Sequence, residues 1–183
     1  TGTARMCERP IGILVDALRE IGAEIHYMNV EGYPPLAVHG LKEQLTHRVK
    51  IRGDVSSQYI SALLMIAPIL PEGLELELEG KVGSRTYIEM TIQLMKSFGV
   101  DCIWEGNIIR VAHQDYRPTV FSVESDWSGA SYWFSLVACA EKGELFLEGL
   151  KEESLQGDSK IVEIMDRLGV KTEFKAGGVH LSK

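Results

Sequence analysis

Ser56, Ser57 and Gln58 stand in a row where the basic apolar run "HRVKIRG" gives way to the helical periodicity of "YISALLMIAP". One serine at such a junction is explained by capping, because its hydroxyl satisfies an orphan backbone N–H at a helix start. A second hydroxyl and an amide exceed that need. The first N–H groups of a helix point outward with partial positive charge and favour a phosphate. Two hydroxyls add donors without formal charge, and Gln58 can bridge a second ligand group. The row reads as an anion site, weighed against a plain capped helix.

Two further stretches carry the same kind of chemistry. In "RMCERPIG", Arg9 precedes Pro10 at the start of a second helix pattern. A cation there opposes the helix dipole and does not help the helix. It is either a surface arginine paired with Glu8 or a planar clamp for carboxylate or phosphate. In "GSRTYIEM", Ser84 precedes a third helix and Tyr87 falls in its first turn. Capping and aromatic packing explain them, and so do a serine donor and a ring lying over a ligand. Cys7 has no histidine near it in sequence, and His26, His39, His47, His113 and His180 show no metal-ligand spacing, so no metal and no cofactor are expected. "SLQGDSK", around Asp158, resembles another helix cap with a structural role.

The elements that must carry these residues repeat along the chain. "DVSSQYISALLMIAP…LELELEG…SRTYIEMTIQLMKSFGV…DCIWEGNIIRVAHQ" is matched by "DWSGASYWFSLVACA…ELFLEGL…GDSKIVEIMDRLGV…KTEFKAGGVHLSK". Asp54 matches Asp126 and Gly99-Val100 matches Gly169-Val170, an offset of roughly 70 residues. Each copy reads helix, strand, helix, strand, turn, strand. Ile60, Leu63, Leu64 and Ala67 follow helical spacing up to Pro68, and Leu74, Leu76 and Leu78 alternate as in a half-buried strand. Ile88, Ile92, Met95 and Phe98 form another helical stripe, ended by Gly99. Hairpin turns are expected at Gly106-Asn107 and at Gly177-Gly178. The lead-ins "HRVKIRG" and "TVFSVES" are both expected to be strands.

The N-terminus repeats only the second half of the unit. Ile11, Leu14, Val15, Leu18 and Ile21 share a face, Pro10 is expected at the first helical position, and Gly22 ends the helix. Ser128 is expected to cap the helix of the later copy, which has Gly129 and Ala130 in place of Ser57 and Gln58. The extra Ser-Gln is therefore special to the earlier copy. A short connection, "QDYRPT", suggests residues 1–117 as part of one domain and residues 118–183 as one unit of a second. Strand–helix alternation with mixed pairing implies a layered α/β (α+β) fold.

The 183 residues suffice for a buried core, and the net charge of −7 argues against broad nucleic-acid or acidic-membrane binding. No apolar run reaches membrane-spanning length, and no signal peptide is visible. Three widely spaced cysteines fit neither a disulfide framework nor a zinc site and suit a reducing compartment. The opening "TGTARM" lacks an initiator methionine, and the chain is expected to be an excerpt of a longer protein.

Taken together, "TGTARMCERPIGILVDALREIGAEI", "GDVSSQYISALLMIAPIL" and "GSRTYIEMTIQLMKSFGV" resemble the 5-enolpyruvylshikimate-3-phosphate synthase family in motif, order and spacing, from Thr1 to Lys183. The resemblance implies repeated βαβαββ units with mixed sheets, about one and a half units of one domain and one unit of another. It implies transfer of the enolpyruvyl group of phosphoenolpyruvate to the 5-hydroxyl of shikimate 3-phosphate, on the route to chorismate. Ser56, Ser57, Gln58, Ser84 and Tyr87 would then bind shikimate 3-phosphate, and Arg9 with Gln58 would bind phosphoenolpyruvate. The family's general acid and base would lie outside these residues, so no catalytic residue is assigned. The isolated chain is expected to be inactive, and the whole protein a cytoplasmic monomer. Cys7 stands where the family usually has Lys or Arg, Thr86 where proline is common, and the "WSG" run is bulkier than the pattern.

Two other readings remain open at this point. One is the related transferase acting on UDP-N-acetylglucosamine, which carries a loop cysteine five residues before the arginine. That position is Ala4 here, and the Ser-Ser-Gln start is absent from that enzyme. The other is a non-catalytic module that binds a phosphorylated metabolite or a protein partner, because fold alone does not fix function.

Overall fold

The computed structural model describes residues 2–54 and 56–183, so Thr1 and Val55, which fall within the motifs quoted above, lie outside the described residues. The chain divides into two compact units, Thr1–Thr119 and Val120–Lys183.

The first unit opens with a short helix α1 (Ala4–Cys7) and then α2 (Gly12–Ile21). Val15, Ala17 and Ile21 of α2 are buried, and Gly22 closes the helix in the left-handed conformation at φ 117°. Pro10 does not occupy the first helical position. The helix begins two residues later, behind Ile11, and the proline carbonyl is used in a tertiary contact described below. A hairpin follows, β1 (Ala23–Tyr27) against β2 (Leu36–Leu41).

Then comes one complete βαβαββ unit: β3 (Arg48–Arg52), α3 (Ser57–Ile66), β4 (Leu74–Glu79), α4 (Arg85–Ser97), β5 (Ile103–Glu105) and β6 (Ile108–Val111). Its sheet order is β3-β4-β6-β5, with β3 and β4 parallel and the other pairs antiparallel. The "LELELE" alternation sends Leu74, Leu76 and Leu78 into the core and the glutamates outward. Outside, Glu75 lies opposite Arg48 and Glu77 opposite Lys50, so the acidic face of β4 meets the basic face of β3 in ion pairs. The core joins Val49 and Ile51 of β3, Ile60, Leu63 and Leu64 of α3, Ile88 and Met95 of α4, and Ile109 of β6. α3 leaves α-helical geometry at Ile66, and Pro68 sits in the 3₁₀ turn Ala67–Ile69 that follows. Gly106 and Asn107 make the expected hairpin turn, closed by the Glu105–Ile108 pair.

The second unit has α5 (Trp127–Cys139), β7 (Glu144–Glu148), α6 (Ile161–Asp166), β8 (Lys171–Lys175) and β9 (Gly178–Ser182), with the antiparallel sheet order β7-β9-β8. Trp127 and Phe134 are fully buried and pack with Val137, Leu150, Val170, Val179 and Leu181. Two expectations fail here. The lead-in "TVFSVES" is not a strand: Val120 is 100% and Val123 85% exposed, and Ser125 N–H donates to the Gly149 carbonyl just past β7. Among the described residues no strand pairs with it, so no ladder fixes its alternation against the core. The β8–β9 turn is Ala176-Gly177, one residue earlier than expected, because Lys175 pairs with Gly178. Gly177 supplies the positive φ of 86°, whereas Gly178 lies against β7, where a Cβ would sit 2.2 Å from the Leu147 carbonyl oxygen. Among the described residues no helix is long and apolar enough to cross a membrane.

Candidate anion-binding site

The start of α3 is open. Ser56 is the N-cap residue by position, yet its hydroxyl makes no capping hydrogen bond, contrary to the expectation that one serine serves as the cap. Ser56 and Gln58 are exposed and Ser57 is half-buried. None of the three side chains has a hydrogen bond among the described residues. In the first turn the Tyr59 N–H donates to the Ser56 carbonyl, while the N–H groups of Ser57 and Gln58 have no acceptor among the described residues. Two amides, two hydroxyls and a carboxamide thus remain available at the positive end of a ten-residue helix.

The start of α4 is open in the same way. Ser84 is its N-cap residue, again with no side-chain capping bond, and it holds φ 50°, ψ 40°. It is the one non-glycine residue with positive φ among the described residues. A left-handed serine costs about 1 kcal/mol or more relative to ordinary backbone, and such outliers concentrate at functional sites. Tyr87, three residues on, is 50% exposed, and its phenol has no hydrogen bond among the described residues.

Two backbone contacts bring these segments together. Gly83 N–H donates to the Gly53 carbonyl at 2.8 Å, and Gly53 N–H donates to the Glu79 carbonyl at 2.8 Å. The loops leading into α3 and α4 are thereby laced edge to edge. A Cβ at Gly53 would meet the Val82 backbone at 3.2 Å, so the close approach favours glycine there. The third segment joins through Tyr59, whose hydroxyl donates to the Pro10 carbonyl. That bond fixes the residue next to Arg9 against the first turn of α3.

Arg9 is exposed and has no ion pair among the described residues; Glu8 is not its partner there, which removes the simple surface-pair reading. Nearby, Arg52 grips Asp54 with two hydrogen bonds of 2.9 and 2.8 Å. The guanidinium holds the Asp54 carboxyl below the usual carboxylate range, and the pair neutralises an acid beside the anion site. Arg85 is also engaged, bonded to Glu89 and stacked 4.1 Å above the Trp104 ring. Cys7 is half-buried, its thiol directed to the Gly2 carbonyl.

All six residues expected to bind ligand therefore sit on three segments that the fold laces together, and among the described residues none of their side chains makes a hydrogen bond or ion pair. Sequence reading missed Tyr59, whose hydroxyl ties two of those segments. Its signal was slight, because its ring also fits the helical apolar stripe.

The matching helix start in the second unit is built differently. Asp126, not Ser128, caps α5, accepting from Ser128 N–H and Gly129 N–H at 3.0 Å each. The Trp127 N–H donates to Gln156 Oε1 at 2.9 Å, and the Ser128 hydroxyl donates to Asp158. Glu124 accepts from the Trp127 indole, Ser154 and Gln156. The "SLQGD" segment thus braces this helix start, as its cap-like sequence implies.

Comparison with known proteins agrees on one family. The family description EPSP synthase (3-phosphoshikimate 1-carboxyvinyltransferase) matches residues 1–180. The 3-phosphoshikimate 1-carboxyvinyltransferase of Bacteroides fragilis (strain ATCC 25285) is 50% identical over 184 residues, covering 100% of this chain and 45% of that protein. That of Mannheimia succiniciproducens is 43% identical over 176 residues, covering 93% of this chain and 40% of that protein. Among solved structures, EPSP synthase from Acinetobacter baumannii superposes with a TM-score of 0.72 at 21% identity, over 100% of this chain and 41% of that one. The enolpyruvyl transferase NikO from Streptomyces tendae gives 0.60 at 14% identity, over 92% of this chain and 41% of that one. These two likenesses carry the fold alone. The chain spans under half the length of the curated relatives it matches.

Proposed function

This chain belongs to the EPSP synthase (3-phosphoshikimate 1-carboxyvinyltransferase) family, and we propose that it forms part of an enzyme that transfers the enolpyruvyl group of phosphoenolpyruvate to the 5-hydroxyl of shikimate 3-phosphate. In that reaction the 5-hydroxyl oxygen bonds to C2 of phosphoenolpyruvate while C3 gains a proton. Phosphate then leaves C2 and the C3 proton is returned. Both substrates are multiply anionic, and the centre passes through oxocarbenium-like character. Positioned cations and oriented neutral donors suit such chemistry.

The observation that carries the reading is the pairing of two uncapped helix starts in one laced loop system. Ser56 and Ser57 with the free α3 amides, and Ser84 at the start of α4, bind the phosphate of shikimate 3-phosphate. Tyr87 packs beside its ring. Gln58 spans to the second substrate, and Arg9 grips phosphoenolpyruvate. The required general acid and base come from sequence outside these residues, so the 183-residue chain binds but does not turn over. Residues 1–117 and 118–183 belong to two domains of the whole protein, which acts as a cytoplasmic monomer.

The test is the intact protein with its flanking sequence, assayed for phosphate release and for the enolpyruvyl product. Expected is transfer that falls sharply in Ser57→Ala/Gln58→Ala through a raised KM for shikimate 3-phosphate. Absence of transfer in the intact protein defeats the activity. An unchanged KM in the double variant defeats the site. Transfer by the 183-residue chain alone defeats the assignment of acid and base elsewhere.

A further inference from the structure

We propose that Glu24, His26 and His39 form a binding site for a borderline divalent transition-metal ion, zinc above all, on the outer face of the β1–β2 hairpin. The ligand atoms of these three residues all lie within 4.8 Å of one another, the one such group of three among the described residues.

The hairpin geometry explains how they meet. Glu24 and His26 alternate with buried Ile25 along β1, so both point away from the core. His39 would fall opposite Ile25 in regular pairing. The register instead steps from Glu24–Gly40 to Ile25–Val38, leaving His39 as the extra residue of a β-bulge. Bulges re-aim side chains, and this one, beside Gly40 at φ 90°, brings the His39 ring edge-on to His26 with centroids 5.6 Å apart. The spacing of histidines along the sequence cannot show this, because the two come from different strands and meet only through the bulge.

The carboxylate is already oriented. Lys42 Nζ lies 3.4 Å from Glu24 Oε2, which leaves Oε1 facing His26 Nε2 at 3.5 Å. Around a tetrahedral zinc ion with bonds of about 2.0–2.2 Å, ligand atoms stand roughly 3.4 Å apart. The Glu24–His26 separation already matches, and all three side chains are exposed. Two imidazoles and one carboxylate select zinc, copper, nickel or cobalt over magnesium or calcium, which prefer all-oxygen shells. Solvent completes the coordination. A bound ion would staple β1 to β2 across the bulge.

The experiment is calorimetric titration of the chain with zinc chloride alone, in metal-free non-chelating buffer, with magnesium chloride as comparison. Expected is one zinc per chain with micromolar affinity and no magnesium binding. His26→Ala and His39→Ala each weaken zinc binding about tenfold or more, and Glu24→Gln weakens it less. His47→Ala, at a histidine outside the hairpin that pairs with Glu72, leaves it unchanged. Far-ultraviolet circular dichroism checks that each variant is folded. Lack of saturable binding up to about 1 mM zinc, or full affinity retained in the His26→Ala/His39→Ala double variant, overturns the site.

Discussion

The helices α3 and α5 start at matching places in the repeat and solve the same problem in opposite ways. At α5 the N–H groups of the first three helical residues are met by protein: Asp126 takes two and Gln156 takes one, while the Ser128 hydroxyl is tied to Asp158. At α3 the residue matching Asp126 is Asp54, and it is turned away into a bidentate pair with Arg52. Ser56 could have served as a cap and does not. Leaving N–H groups and hydroxyls unpaired costs stability that α5 retains. The contrast separates a helix start that serves the fold from one kept open for a ligand, within one chain and one repeat.

The sharpest way to break this contrast is to give α3 the cap that α5 has. Ser56→Asp places a carboxylate at the N-cap position of α3, the role that Asp126 holds at α5. The helix gains about 0.5–1 kcal/mol. An anionic ligand now meets a like charge at close range, a repulsion of roughly 2–4 kcal/mol at an effective dielectric near 20. The expected outcome is a higher melting temperature with shikimate 3-phosphate binding weakened by about 30-fold or more. A variant that is more stable and still binds normally would mean the open start has no ligand role. The next effect is smaller and touches only charge. Arg9→Ala in the intact protein should raise the KM for phosphoenolpyruvate by about 10- to 150-fold, the worth of a charge-assisted hydrogen bond of ~1.5–3 kcal/mol. The melting temperature should hold, because Arg9 is exposed and without an ion pair among the described residues. A fall in stability without a change in KM would make it a structural residue.

The converse change belongs at α5. Asp126→Ala removes two capping bonds and should cost about 0.5–2 kcal/mol, lowering the melting temperature by roughly 2–6 °C for a chain of this size. Binding of shikimate 3-phosphate at the first unit should be unaltered. Equal losses in Asp126→Ala and Ser56→Ala would erase the distinction between the two helix starts.

Much of this was legible in the residues. The alternation of "LELELE", the stripes at Ile60, Leu63 and Leu64 and at Ile88 and Met95, and the turn at Gly106-Asn107 all report local periodicity, and each became the expected element. The surplus of donors at Ser56, Ser57 and Gln58 was visible because a cap needs only one. What failed depended on partners distant in sequence. Whether Asp126 or Ser128 caps α5 is decided by Gln156 and Asp158, about 30 residues on. "TVFSVES" has strand-like alternation but no strand to pair with among the described residues, and periodicity cannot report that absence. Pro10 looked like a helix-start residue, yet its carbonyl is committed to Tyr59. The left-handed serine at position 84 has no sequence signature, since glycine or asparagine is the usual choice there.

Tyr59 gives the finest test, because it links the open helix start to the Arg9 segment without itself being surplus. Its ring packs against the first-unit core while its hydroxyl holds the Pro10 carbonyl. Tyr59→Phe keeps the ring and deletes only the hydrogen bond, which is worth about 0.5–1.5 kcal/mol net. If the bond serves only the fold, the loss appears as a lower melting temperature with kinetics intact. If it positions Arg9 over α3, the KM for phosphoenolpyruvate should rise by about 2- to 10-fold while the KM for shikimate 3-phosphate stays near its wild-type value. In the double variant Tyr59→Phe/Arg9→Ala the two effects should then fail to add, since a tyrosine acting through Arg9 has nothing left to position once Arg9 is gone.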